Sequence, residues 1–207
     1  RNVMGHCLSR KGGGFLFFGA DLVPRSGITW TPMSPRVSRK HYSPGPANLY
    51  FGGELLGKKF QVILDSGSSY TYFSSRWYGV VLQMIKKDLT GKPLMEAPQD
   101  HTLPICWKGA KPFKSVDDVR RYFKTVTLGF GKRAQLDIPP EGYLIVSEHG
   151  NVCLGILNGA EAGLGDLNII GDISVQDVLV VYDNEKDQIG WAPANCDRLP
   201  KSGTASL

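Results

Sequence analysis

Eight short runs of β-branched, aliphatic or aromatic residues, at 15–19, 28–31, 48–51, 60–64, 125–130, 143–146, 178–182 and 189–191, limit what this chain can fold into. Each has strand length and is bounded by Gly, Pro, Asp or Asn, which turn a backbone rather than extend it. The pattern predicts an all-β fold, mostly antiparallel, with two or three short helices.

Helical periodicity is confined to a few places. Trp77, Val80, Val81, Met84 and Ile85 share one face of a helix over 76–89. Ser115 and Asp118 form a capping box that opens a second helix over 115–123, and a shorter third is expected over 174–178. Residues 32–46, rich in Pro, Ser and Arg, read as a long surface loop; 159–167 read as a Gly-rich acidic loop and 198–207 as a flexible tail. No run reaches the roughly 18 apolar residues of a membrane helix, so no membrane span is expected. The chain opens at Arg1 without the basic, apolar and small-residue order of a signal sequence, which suggests a processed start or a piece of something longer.

Lys and Arg number 24 against 19 Asp and Glu, but the basic residues lie in scattered pairs such as Arg10-Lys11, Lys58-Lys59 and Arg120-Arg121. Scatter of this kind reads as a solvated surface, and no nucleic-acid partner is expected. The run from Lys11 to Phe18 resembles the aromatic strand signature of RNA-recognition motifs, yet Gly13 stands where that signature has an aromatic. Phe15 and Phe17 or Phe18 therefore read as packed strand residues. The four cysteines, 7, 106, 153 and 196, include no C-x-x-C pair and are compatible with two disulfides in an oxidising compartment. His149 and Cys153 are four apart with no further close ligands, so neither metal nor cofactor is expected.

The most informative stretch is Val62-Ile63-Leu64-Asp65-Ser66-Gly67-Ser68-Ser69-Tyr70-Thr71. An apolar strand delivers one carboxylate into a turn of glycine and hydroxyl residues, where it can meet a substrate while short hydrogen bonds hold it. A serine-protease reading of Asp65-Ser66-Gly67 fails because Leu64 and Ser68 replace that motif's glycines. None of the histidines at 6, 41, 101 and 149 sits in a base motif. The glycines at 163 and 165 lack the strand-and-helix context of a phosphate loop.

Residues 62–71 resemble the second active-site motif of the pepsin-like aspartic proteases, and Asn168-Ile169-Ile170-Gly171-Asp172 resembles that family's apolar-apolar-Gly element. Val180-Val181-Tyr182-Asp183 followed by Ile189-Gly190-Trp191-Ala192 is similar to its closing hairpin. With Gly5-His6-Cys7-Leu8, 14–19 and Trp30-Thr31-Pro32-Met33, the resemblance runs over nearly the whole chain, nearest to the plant nucellin-like branch.

The resemblance implies the C-terminal lobe of a bilobal acid protease: inter-lobe strands over 1–36, a catalytic lobe over 37–197 and the tail over 198–207. It implies that Asp65 is one member of a catalytic dyad, with Ser68 bonding its carboxylate. Ser66 would join a buried grip between two active-site loops, and the Gly67 carbonyl would accept from substrate. Ile170 and Gly171 would support a Ψ-shaped arrangement. Read from the residues themselves, Asp172, Asp177 and Asp183 are structural rather than a second catalytic carboxylate, Asp172 capping a short helix and Asp183 opening a turn with Asn184. The resemblance also implies a Cys106–Cys153 disulfide, leaving Cys7 and Cys196 to pair with each other or with cysteines of a first half. Only one Asp-Ser/Thr-Gly is present, so the expected activity, aspartic endopeptidase, needs a second aspartate from a missing N-terminal lobe. The expected partners are that lobe and a peptide or protein substrate, and the expected compartment is the secretory route, extracellular or vacuolar. The rival expectation is an inactive lobe that binds or inhibits.

Overall fold

A computed structural model describes residues 2–34, 41–131 and 133–199. Sixteen strands form three sheets among the described residues. The first sheet is built from β1 (Val3–Leu8), β2 (Gly14–Phe18), β3 (Thr29–Pro32), β15 (Val178–Asp183) and β16 (Gln188–Pro193), in the order β2-β1-β15-β16-β3. The second contains β4 (Tyr42–Phe51), β5 (Glu54–Leu64), β6 (Thr71–Phe73), β9 (Val126–Phe130), β10 (Ala134–Ile138), β13 (Ile156–Asn158) and β14 (Ile169–Ile170). Its order is β10-β9-β4-β5-β14-β6-β13. The third joins β7 (Met95–Glu96), β8 (Cys106–Lys108), β11 (Leu144–Val146) and β12 (Val152–Leu154) as β11-β12-β8-β7.

The long β4–β5 hairpin turns on Gly52 and Gly53, whose φ angles of 56° and 84° fit a two-residue turn that favours glycine at both positions. Behind β5, α1 (Ser75–Leu89), the single α-helix among the described residues, buries Val81, Ile85 and Leu89. Trp77 and Phe73 meet Phe60 edge to face at 5.2 and 4.9 Å between centroids. The apolar run of β15 is buried on both faces. Val180 and Tyr182 enter the main core, while Leu179 and Val181 pack with Val3, Cys7 and Phe17. Trp191 ties the first sheet to the second, donating Nε1–H to the Gln135 carbonyl at 2.7 Å and meeting Phe130 at 5.4 Å.

Three sequence expectations are corrected. The helix expected over 115–123 is two 3-10 turns, Val116–Asp118 and Arg120–Tyr122, although Asp118 Oδ2 does accept the Ser115 N–H at 3.2 Å. The helix expected over 174–178 is a 3-10 turn at Asp172–Val175. Extended Gln176 and Asp177, at φ 55°, then lead into β15. Among the described residues a single α-helix thus stands where two or three were expected. The surface loop expected over 32–46 contains the end of β3 and the start of β4. Pro44 is tolerated where pairing with β5 shifts register between Tyr42 and Gly45, Pro46 sits opposite Gln61 just before pairing with β9 begins at Ala47, and Ser43 Oγ donates to the Val62 carbonyl at 2.7 Å. Residues 35–40, which include the boundary drawn at 36, lie outside the described residues, as does the tail beyond Leu199. Residues 159–167 are a succession of turns.

Both disulfides expected from the even cysteine count are present: Cys106–Cys153 bridges paired residues of β8 and β12, and Cys7–Cys196 closes the first sheet onto the C-terminal segment. The alternative left open for Cys7 and Cys196, bonding to another half, does not occur here.

Candidate active site

Asp65 follows the last residue of β5, and its position is fixed from below by β14. That strand lies between β5 and β6, parallel to β5, so the connection from Leu64 to Thr71 arches over its end. Three backbone bonds stitch the arch: Asp65 N–H to the Ile170 carbonyl at 3.0 Å, Asp172 N–H to Ser68 at 2.7 Å and Ile173 N–H to Ser69 at 3.1 Å. Ile170 ends β14 and Gly171 follows it directly beneath the arch.

Within the arch each oxygen of the Asp65 carboxylate accepts one hydrogen bond, Oδ1 from the Gly67 N–H at 3.1 Å and Oδ2 from Ser68 Oγ at 2.8 Å. Asp65 and Ser68 are half-buried, while Ser66 and Gly67 are exposed. The carboxylate is therefore oriented by its own loop yet opens onto a groove of about 580 Å³ shared with Ser66, His6, Tyr182 and Tyr42. Ser66 Oγ bonds nothing among the described residues and lines the groove.

A buried hydroxyl relay missing from the sequence reading holds the base of the arch. Thr71 Oγ1 accepts the Gly171 N–H at 3.2 Å and lies 2.6 Å from Ser174 Oγ, which donates to the Gly142 carbonyl at 2.9 Å. Since Ser174 spends its proton on Gly142, Thr71 donates to Ser174, and each hydroxyl is satisfied. Asn168 is a second clamp: its Oδ1 accepts the Ser74 N–H at 2.9 Å and its Nδ2 donates to the Gln61 carbonyl at 2.9 Å. Thr71 and Asn168 belong to the two motif segments of the sequence, and the further signal for these residues is that polar side chains directly flank short apolar runs.

Asp172 does not cap its helical turn. Gly171 occupies the N-cap position, and the Asp172 carboxylate meets Gln176 Nε2 at 3.4 Å. Asp183 does open a turn, with Oδ1 accepting the N–H groups of Glu185 and Lys186, both at 3.1 Å. Asp100 sits beside Cys106 and Cys153, but both sulfurs are in the disulfide and offer no thiolate to a metal.

The family model described as "Xylanase inhibitor C-terminal" matches residues 47–193. The chain belongs to this family. It is the C-terminal lobe of a pepsin-like aspartic protease fold. An aspartic proteinase of rice (Oryza sativa subsp. japonica) is 44% identical over 99% of this chain and 52% of that protein. Aspartic proteinase 39 of Arabidopsis thaliana is 28% identical over 95% of the chain and 40% of its own length. The chain thus spans about half the length, or less, of these relatives. Among solved structures, edgp superposes with a TM-score of 0.75 at 16% identity, covering 93% of this chain and 54% of that one. Basic 7S globulin from soybean gives 0.74 at 15%, covering 96% and 54%. At these identities the xylanase-inhibitor-type lobe shares a fold with the two structures, and nothing more is drawn from them.

Proposed function

We propose that this lobe supplies one of the two catalytic aspartates of an aspartic endopeptidase, the other coming from an N-terminal lobe beyond this chain. The observation that carries the proposal is the Asp65 carboxylate, held at both oxygens by its own loop and open to a groove. Two carboxyl groups sharing one proton can activate water. The charged carboxylate takes a proton from the water as its oxygen bonds to the peptide carbonyl carbon, and the neutral carboxyl gives its proton to the carbonyl oxygen. Collapse of the resulting gem-diol breaks the C–N bond, with a proton passing to the departing nitrogen. Asp65 alone cannot serve as acid and base together, so the second carboxyl is required. Ser68 and the Gly67 N–H would orient Asp65 throughout, and the Gly67 carbonyl would face a substrate N–H.

The family's description as a xylanase inhibitor favours a second reading, a lobe that keeps the fold and binds without cleaving. The two disulfides fit an extracellular or vacuolar compartment on either reading. The intact mass of the natural polypeptide, under reducing conditions, tests the two-lobed proposal. A mass about twice 22.7 kDa, as two lobes of similar size require, supports it, whereas 22.7 kDa would favour the binding lobe.

A further inference from the structure

The groove beside Asp65 contains a pair of buried polar side chains that the catalytic reading does not use. His6, in β1, is 5% exposed, and Tyr182, in β15, is 3% exposed. His6 Nε2 lies 3.4 Å from Tyr182 Oη, the only protein partner of that hydroxyl among the described residues, and His6 Nδ1 has none. An unpartnered buried donor is rarer, and costlier, than an unpartnered acceptor. Nδ1 is therefore assigned as the bare nitrogen and Nε2 as the N–H that donates to Tyr182. Burial supports a neutral ring by pushing His6 down to about 4. Burial, then the neighbouring Tyr42 and Asp65, hold the Tyr182 phenol far above its ordinary range, so it keeps its proton.

With Oη already accepting from His6, the Tyr182 proton must point elsewhere. The ring is stacked against Tyr42 at 4.2 Å between centroids, and the open direction is the groove that Asp65 lines. We propose that Tyr182, its hydroxyl proton turned into the groove by His6, is a positioning residue for Asp65, donating through a groove water to the charged carboxylate. The groove is large enough to hold that water. This rests on Asp65 being one of the catalytic pair. Its effect is to favour the ionised form on the Asp65 side, so that the shared proton resides on the other aspartate. The other titratable groups around Asp65 are Tyr42, the first residue of β4, and His41 just before it, both lining the groove, and Asp172 behind the arch.

The test is the pH dependence of kcat/KM for a peptide substrate, measured on the complete two-lobed protein and its Tyr182→Phe, His6→Phe and Asp65→Asn variants. Tyr182→Phe keeps the ring and its stacking, and should move the acid limb to higher pH by about half a unit, less than the 1–3 units of a full opposite charge. kcat at the acid end should fall severalfold with KM unchanged. His6→Phe frees the Tyr182 proton to rotate and should give a smaller shift in the same sense. A Tyr182→Phe profile that overlays wild type, with Asp65→Asn inactive, overturns this inference alone. A shift in His6→Phe without one in Tyr182→Phe also overturns it. Equal cleavage by wild type and Asp65→Asn overturns the catalytic reading, and this inference with it.

Discussion

The backbone N–H of Asp65 donates to the Ile170 carbonyl at 3.0 Å, so the strand that presents the carboxylate is aligned by a two-residue strand more than a hundred positions later. Gly171, next along, allows the close approach. A Cβ there would sit 2.0 Å from the Tyr70 carbonyl oxygen and 2.7 Å from that of Ser68. Both obstacles are backbone and cannot swing aside. Gly171→Ala should destabilise the lobe by about 3 kcal/mol or more, at the upper end of overpacking costs. Urea unfolding checks this, and an unchanged midpoint would show that the arch is looser than described.

Among the described residues, Ser68 Oγ provides the only side-chain hydrogen bond to the Asp65 carboxylate. Hydrogen bonds to charged groups are worth about 1.5–3 kcal/mol when buried, and this one is half-exposed, so Ser68→Ala should lower kcat about tenfold. Ser68→Thr, which retains the hydroxyl, should restore most of it. Steady-state kinetics of the three proteins at acidic pH decide the matter.

The β character of the chain, helix α1 and the Asp65 loop were legible because each rests on local pattern: strand-length apolar runs, a 3.6-residue stripe through Val81 and Ile85, and a carboxylate set among hydroxyls and glycine. What failed depends on context. Residues 42–46 read as loop because of Pro44 and Pro46, yet a register shift against β5 accommodates Pro44, and Pro46 sits opposite Gln61 just before pairing with β9 begins at Ala47. The stretch after Gly171 stops short of an α-helix because Gln176 is extended and Asp177 is left-handed. Ser174, His6 and Tyr182 could not be placed at the site, since elements distant in sequence bring them there, and Thr71 and Asn168, though inside the two motif segments, carry no local sign of the partners they bond.

Asp100 should make the lobe's stability pH-dependent in a specific sense. Burial would raise its pKa, but hydrogen bonds from Ser147, Asn151 and Thr102 outweigh burial and hold it well below the usual carboxylate range. A depressed folded-state pKa adds stability that is fully present above the unfolded value of about 3.9 and is lost as pH falls toward the folded one. Asp100→Asn should therefore cost about 1–3 kcal/mol at pH 6 and progressively less below pH 4. Denaturant unfolding at pH 6 and pH 2.5 measures the difference, and a cost that does not change with pH would contradict the assignment.

His6 acts in the neighbouring pH window. Its folded-state pKa, lowered to about 4 by burial, means that between pH 6.5 and 4 the unfolded chain binds a proton that the folded chain does not. Stability should fall as pH drops through that window, by at most about 3 kcal/mol. His6→Phe should flatten the decline. A thermal-unfolding series from pH 7 to 4 that shows equal slopes for wild type and variant would place the His6 ring in contact with solvent.

The most direct measurement is hydrolysis of a denatured protein substrate at pH 4 by the complete protein and by its Asp65→Asn variant, with folding verified by circular dichroism. Proteolysis by wild type and its loss, by about a thousandfold or more, in the folded variant is the expected result. Undiminished cleavage by Asp65→Asn, or none by either protein, would contradict the assignment of Asp65 as a catalytic aspartate.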